Sequence, residues 1–454
     1  MSVPAYPACK GSGISHLGSV PQSWTVTRLR FVARFNPSKS ETAGLQPDTE
    51  VSFLPMDAIG EDGSLRLDGT RELASVEQGY TYFRDGDVVI AKITPCFENG
   101  KGALMRGLLG GIGFGTTELI VLRPIERQTL AAFLHWLFAS PDFRNAAVAS
   151  MYGAGGQKRV PDDFVRDFVL ALPPITEQSA IVAFLDRETG KIDALVAEQE
   201  RLMALLKEKR QAVISQAVTK GLDPNAPMKP SGVAWLGQVP VGWEVTRLKF
   251  LAHVQGGIAK GRDLTGRDTI SVPYLRVANV QDGYLDLDEI TMIDIEPHEL
   301  DRYALRPGDV LMNEGGDFDK LGRGHIWRGE IANCIHQNHV FAVRPHHIEP
   351  EWLTLVASAD YGRFFFMSHA KQSTNLASIS SSNLQELPVC CPPPAERRRI
   401  LKHVERDTVR IGALTDEASR AITLLKERRA ALISAAVTGK IDVRGFVSQE
   451  ARAA

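Results

Sequence analysis

Residues 13–35 read GISHLGSVPQSWTVTRLRFVARF, and residues 232–254 read GVAWLGQVPVGWEVTRLKFLAHV. The two stretches are offset by 219 in the numbering and agree at 12 of 23 positions. A second pair keeps the same offset: residues 203–219 (MALLKEKRQAVISQAVT) and 422–438 (ITLLKERRAALISAAVT) agree at 11 of 17. Chance agreement at average composition is roughly one position in fifteen. The chain is therefore a single unit used twice, with the offset of 219 kept at both framing segments and drifting to 222 and 221 between them.

Between these framing segments the copies diverge, with two landmarks surviving. Gly86-Asp87-Val88 answers Gly308-Asp309-Val310, and Arg123-Pro124 answers Arg344-Pro345. A constant frame around a variable insert suits a scaffold that presents two different recognition surfaces in equivalent places. Each copy opens with a turn-rich lead-in and then alternates, Trp24, Val26, Leu29 and Phe31 in one and Trp243, Val245, Leu248 and Phe250 in the other. That pattern predicts a strand running into a short helical turn. Residues 87–94, 118–123 and 340–344 predict buried strands, and 130–139 and 350–359 predict helices. Each copy closes on Pro-Pro and a helical pattern, about 177–219 and 396–438, stopped by Gly221 and Gly439. Apolar residues at near-heptad spacing predict a seam through Ile192, Leu195, Leu202, Leu206 and Val213, and through Ile411, Leu414, Leu425 and Leu432. The expected fold is α+β: two similar mixed α/β domains separated by two long antiparallel helices, a pseudo-two-fold internal repeat.

The 454 residues are 44% apolar and 23% charged, which excludes a disordered or fibrous chain. Lys plus Arg (52) against Asp plus Glu (54) leaves −2, so no whole-chain basic field holds nucleic acid. Five cysteines without paired spacing predict neither a disulfide framework nor a zinc site. No stretch approaches 18 uninterrupted apolar residues and no leader pattern opens the sequence, so the expected setting is a reducing cytoplasm, away from membrane. Catalytic signatures are missing as well: there is no G-x-x-x-x-G-K-[ST], H-E-x-x-H or G-x-S-x-G. His336, His339, His346 and His347 crowd one region without a matching acid or Cys spacing. Asp317, Asp319 and Lys320 have a nuclease-like composition in copy two alone, and Asn36-Pro37-Ser38 is not the Asn-Pro-Pro-aromatic of an adenine methyltransferase.

The lead-in residues Lys10, Ser12, Gly13, Leu17, Gly18, Pro21 and Trp24, repeated at Lys229, Ser231, Gly232, Leu236, Gly237, Pro240 and Trp243, resemble the start of each recognition domain in the specificity subunits of type I restriction-modification systems. The run GDVVIAKITPCFENGK (86–101) and the helix segments ending LLKEKR at Arg210 and LLKERR at Arg429 are similar to the same family, although copy two lacks the Thr-Pro-Cys. The resemblance implies a first target recognition domain at 1–175, a central spacer helix at 176–222, a second recognition domain at 223–394, a C-terminal spacer helix at 395–440 and a tail at 441–454. It implies a DNA-reading subunit without catalysis of its own. Each domain would read one half of a bipartite double-stranded target, and the helices would set the gap and dock two modification (methyltransferase) subunits. S-adenosylmethionine, ATP and Mg²⁺ would sit on partners, the last two on restriction (motor) subunits.

Reading base edges needs Arg, Lys, Gln or Asn on accessible loops. The candidates in copy one are Gln157, Lys158 and Arg159 after a Gly-rich turn, with Lys39, Lys92 and Lys101 as thinner ones. In copy two they are Lys371, Gln372 and Asn375, in the corresponding loop with Ser373 and Thr374, and a second set of Lys260, Arg262, Arg276 and Asn279. Two other classes stay open on sequence: a single-chain nuclease or methyltransferase with duplicated DNA-binding domains, and a protein-only coiled-coil adaptor.

Overall fold

The computed structural model describes residues 3–154, 156–316, 321–372 and 377–447. Asp317, Asp319, Lys320, Ser373, Thr374 and Asn375 lie outside the described residues. Contacts group the chain into two units, 1–200 with 420–454, and 201–419. Each unit thus holds one head, the near part of one long helix and the far part of the other.

The strand Val88–Ala91 is buried at every position, so it is covered on both faces. Its alternate side chains serve two cores. Val88 and Ile90, with Ile120 and Leu122 of the neighbouring strand Leu119–Pro124, pack on helix Ala131–Ala139 and the start of the first long helix. Val89 and Val121 face a second sheet through Leu54 and Phe83. Unit two repeats the division: Val310, Met312, Phe341 and Val343 enter one core, and Leu311, Val340 and Ala342 the other.

The sheets repeat too. In unit one the order is Ala33–Phe35, Leu119–Pro124, Val88–Ala91, Gly102–Leu104, all antiparallel. In unit two it is Ala252–Gly256, Val340–Pro345, Val310–Asn313, Gly324–Ile326, again antiparallel. Each unit also carries a second sheet with one parallel pairing: Glu50–Leu54 with Ile112–Gly115, and Ile270–Leu275 with Ile335–His336. Unit one adds an edge strand, Thr81–Arg84.

The two sequence landmarks are the two halves of one ion pair. Asp87, fully buried, is gripped by Arg123 through Nε–Oδ1 at 2.7 Å and Nη2–Oδ2 at 2.8 Å. Asp309 is gripped by Arg344 at 2.7 Å twice. Each aspartate also accepts a backbone N–H from the turn before it, Arg84 at 2.9 Å and Arg306 at 2.8 Å. A buried carboxylate is tolerated only when paired and hydrogen-bonded in this way.

The lead-in strands Thr25–Arg28 and Glu244–Arg247 pair with Val169–Leu172 and Pro388–Cys391, which carry the chain into the long helices. Those helices span Ile175–Lys220 and Pro394–Val437, 46 and 44 residues, or roughly 70 and 65 Å of rise. Gly221 and Gly439 follow them at φ +73° each. A Cβ on Gly439 would sit 2.4 Å from Pro21, and one on Gly221 would lie 3.2 Å from the Trp243 ring, so the stop also seats the indole.

Within unit one the two helices run antiparallel: Asp193 pairs with Arg429 at 2.8 Å, while Glu177, earlier on the first helix, meets Arg444 beyond the end of the second. In unit two Gly221, at the end of the first, lies beside Glu396 at the start of the second. The expected seam holds at Ile192, Leu206 and Ile411, which are buried, but not at Leu195, Leu202 and Leu414, which are each more than 40% exposed. Thr189, Val196, Gln199, Thr415 and Ala418 take the inward positions instead.

Candidate nucleic-acid interface

Each head carries a hairpin at a matching position. In unit one Tyr152 and Arg159 face each other in a two-way backbone exchange (2.9 and 3.2 Å), and Arg159 is bridged on its other side to Ile93. In unit two Lys371 faces Ser378, which is bridged to Gly315. The offset of 219 makes Lys371 the counterpart of Tyr152 and Ser378 that of Arg159. The loop turns at Gly153, φ +129°, where a Cβ would come within 2.7 Å of the Gln157 carbonyl.

Tyr152, Gln157 and Lys158 are exposed, as is Lys371. Gln372 pairs through its backbone with Ala377. Arg159 is placed by Glu118, with Nη2–Oε1 at 2.7 Å and Nε–Oε2 at 2.9 Å. That fork holds the Glu118 carboxyl below its usual range, with Lys92 adding a smaller pull in the same direction. Arg159 thus reaches the surface as a fixed, partly neutralised guanidinium, 36% exposed.

The other expected residues are placed differently. Lys101 and Lys39 spend their ammonium groups on the carbonyls of Met56 (2.8 Å) and Glu77 (2.7 Å). Lys260 is exposed, but Arg262 is held bidentately by Glu299 at 2.6 and 2.8 Å, which keeps Glu299 down at about 2. Arg276 is half-buried, and its Nε has no partner among the described residues. Asn279 is 3% exposed; its oxygen accepts from the Arg276 N–H and its amide donates to Asp286 and Glu289 carbonyls. No edge of that amide remains for a base, and Asn279 leaves the candidate surface. Tyr152, 64% exposed at the position of Lys371, was missed by charge-based selection; the repeat offset alone points to it.

No group of three or more His, Cys, Asp or Glu side chains among the described residues is arranged to hold a metal ion. Nor is any helix among them long and apolar enough to cross a membrane.

Twin heads with the same central sheet order, each on a pair of long helices and each carrying an exposed hairpin at a matching position, define a duplicated recognition scaffold. No family model matches the chain. It is 38% identical, over an alignment 479 positions long, to the specificity subunit of the type I restriction enzyme EcoEI of Escherichia coli, covering 85% of this chain and 78% of that one. It is 39% identical over 191 residues to the EcoAI specificity subunit of the same species, covering 41% and 31%. Among solved structures, the HsdS subunit from Thermoanaerobacter tengcongensis aligns at TM-score 0.55 and 20% identity over 93% of this chain and 98% of its own. A chain from a structural study of type I R-M assembly and conformational transition aligns at TM-score 0.73, also at 20% identity, over 93% and 99%. The chain belongs to the family of type I restriction enzyme specificity subunits.

Proposed function

We propose that the chain is the DNA-reading subunit of a type I restriction-modification complex, each head addressing one half of a bipartite double-stranded target. The observation that carries this is the pairing of one backbone hairpin with two different sets of residues, Tyr152, Gln157, Lys158 and Arg159 against Lys371, Gln372 and Ser378. Identical scaffolds with different tips suit two different half-sites. The heads at 1–175 and 223–394 read, and the helices at 176–222 and 395–440 set the gap and dock two modification subunits. S-adenosylmethionine belongs to those subunits, ATP and Mg²⁺ to restriction subunits, and the complex works in the cytoplasm. A net charge of −2 fits shared phosphate affinity, the basic surface coming from partners.

Mapping methylated adenines in DNA modified by the assembled complex reads both half-sites and the gap together. A single undivided site, or methylation independent of this chain, contradicts the proposal. In gel shifts with the assembled complex, Lys158→Ala and Lys371→Ala should each weaken binding and lower the salt slope by about 1, as loss of one phosphate contact does. Arg159→Ala should weaken it further, because it also frees Glu118 at the surface. Unchanged affinity in all three removes the hairpins from the interface.

A further inference from the structure

Phe31 and Phe250 close the short 3-10 turns Leu29–Phe31 and Leu248–Phe250, and they are 60% and 61% exposed. They occupy the same position in the two copies, related by the repeat offset of 219. The leucine at the head of each turn is fully buried and anchors it by donating its N–H to Phe168 O at 3.0 Å or Leu387 O at 2.9 Å. The turn is therefore anchored at its head, and it holds an aromatic ring out in water.

The charges around each ring are copied as well. Arg28 and Arg30 share Asp167, at 3.3 and 2.5 Å. Arg247 and Lys249 share Glu386, at 2.8 and 2.6 Å, and the Lys249 ammonium lies 5.4 Å from the Phe250 ring centre. Asp167 and Glu386 are themselves related by the same offset. Each patch is thus a ring beside two cations and one anion, net +1.

A feature common to both units cannot tell two half-sites apart, so it does not serve target choice. A phenylalanine more than half exposed in both copies does nothing for the core either. What remains is something that meets each unit once in the same way. A phosphate backbone could meet the cations but offers nothing to an exposed phenyl ring, whereas a protein surface can serve both, which favours a protein over nucleic acid. The residual positive charge calls for an acid on that protein, next to an apolar socket for the ring.

We propose that the Phe31 and Phe250 turns are twin docking points, each receiving one copy of the same partner protein through an apolar socket edged by a carboxylate. On the reading above, on which the partner's identity rests, that protein is the modification subunit.

The test co-expresses the full chain with its modification subunit and measures copy number by native mass spectrometry and affinity by titration. Both positions are exposed, so Phe31→Ser, Phe250→Ser and the double variant should fold with unchanged circular dichroism and melting temperature. Each single variant should hold one copy as before and the other about tenfold more weakly, and the double should hold both about tenfold more weakly. Arg30→Glu and Lys249→Glu should weaken the same copies in a salt-dependent way. A double variant that assembles two copies with wild-type affinity overturns the proposal while leaving the functional reading intact. So does a variant that assembles normally but loses DNA affinity. A wild-type chain that takes up no modification subunit overturns the reading and the docking points together.

Discussion

The two units share a frame and differ in how completely they satisfy it. In unit one the Trp24 indole N–H donates to Glu177 at 2.8 Å, and Tyr6 joins the same carboxylate at 3.1 Å. In unit two the equivalent Trp243 N–H is buried with no acceptor among the described residues. Arg123 adds Glu41 to its buried aspartate, whereas Arg344 adds only a carbonyl, of Ala304. The same packing solution can therefore persist while its polar decoration decays, because apolar burial fixes the indole position and the hydrogen bond only adds to it.

That contrast can be broken hardest at the ion pairs. Arg123→Ala should strand Asp87 in the core and cost about 3–5 kcal/mol, and Arg344→Ala somewhat less because its side chain is 27% exposed. Urea unfolding of each variant checks both, and equal costs would erase the asymmetry. Next come the indoles. Trp24→Phe loses a hydrogen bond to a carboxylate, about 1.5–3 kcal/mol beyond the volume change. Trp243→Phe loses only volume, so thermal unfolding should show the first as the worse variant.

A third contrast concerns acid. Burial foremost, then the charges of Arg144, Arg106 and Arg429, pushes the His135 imidazole down to about 4, while unit two has Thr354 at the equivalent place. A histidine kept neutral by folding contributes full stability above its ordinary value of 6.5. As pH falls toward 4 the unfolded chain gains a proton that the folded one refuses, and stability declines by about 3 kcal/mol. His135→Thr should flatten that slope between pH 6.5 and 4 in pH-dependent melting. A slope unchanged by the variant assigns it elsewhere, His336 and His325 being further imidazoles that burial pushes down.

The framing elements were legible because each follows a local rule. The long helices fell within two residues of their expected ends, at Ile175–Lys220 and Pro394–Val437, since proline entry, apolar period and glycine stop all agree. The helix seam was read partly wrongly. Its inward places hold Thr189, Gln199 and Thr415, which give no hydrophobic signal, and Thr189 is buried by bonding back to Leu185 at 2.6 Å. Sheet order was beyond sequence, because the strands it joins are remote along the chain, as with Phe35 and Leu122. The hairpin loops were found from composition, yet the state of their charges was not. Arg159 meets an acid 41 positions away, and Asn279 answers the needs of its own turn.

The ion pairs also bear on anyone wishing to transplant a recognition surface between such chains. Gly86 and Pro124 bracket the first acid and its base, as Gly308 and Pro345 bracket the second. Splice junctions outside those brackets carry both charges across together. A junction falling inside them can hand the recipient an aspartate with no guanidinium, and the graft would then fail in its interior however well its tips suit the new DNA.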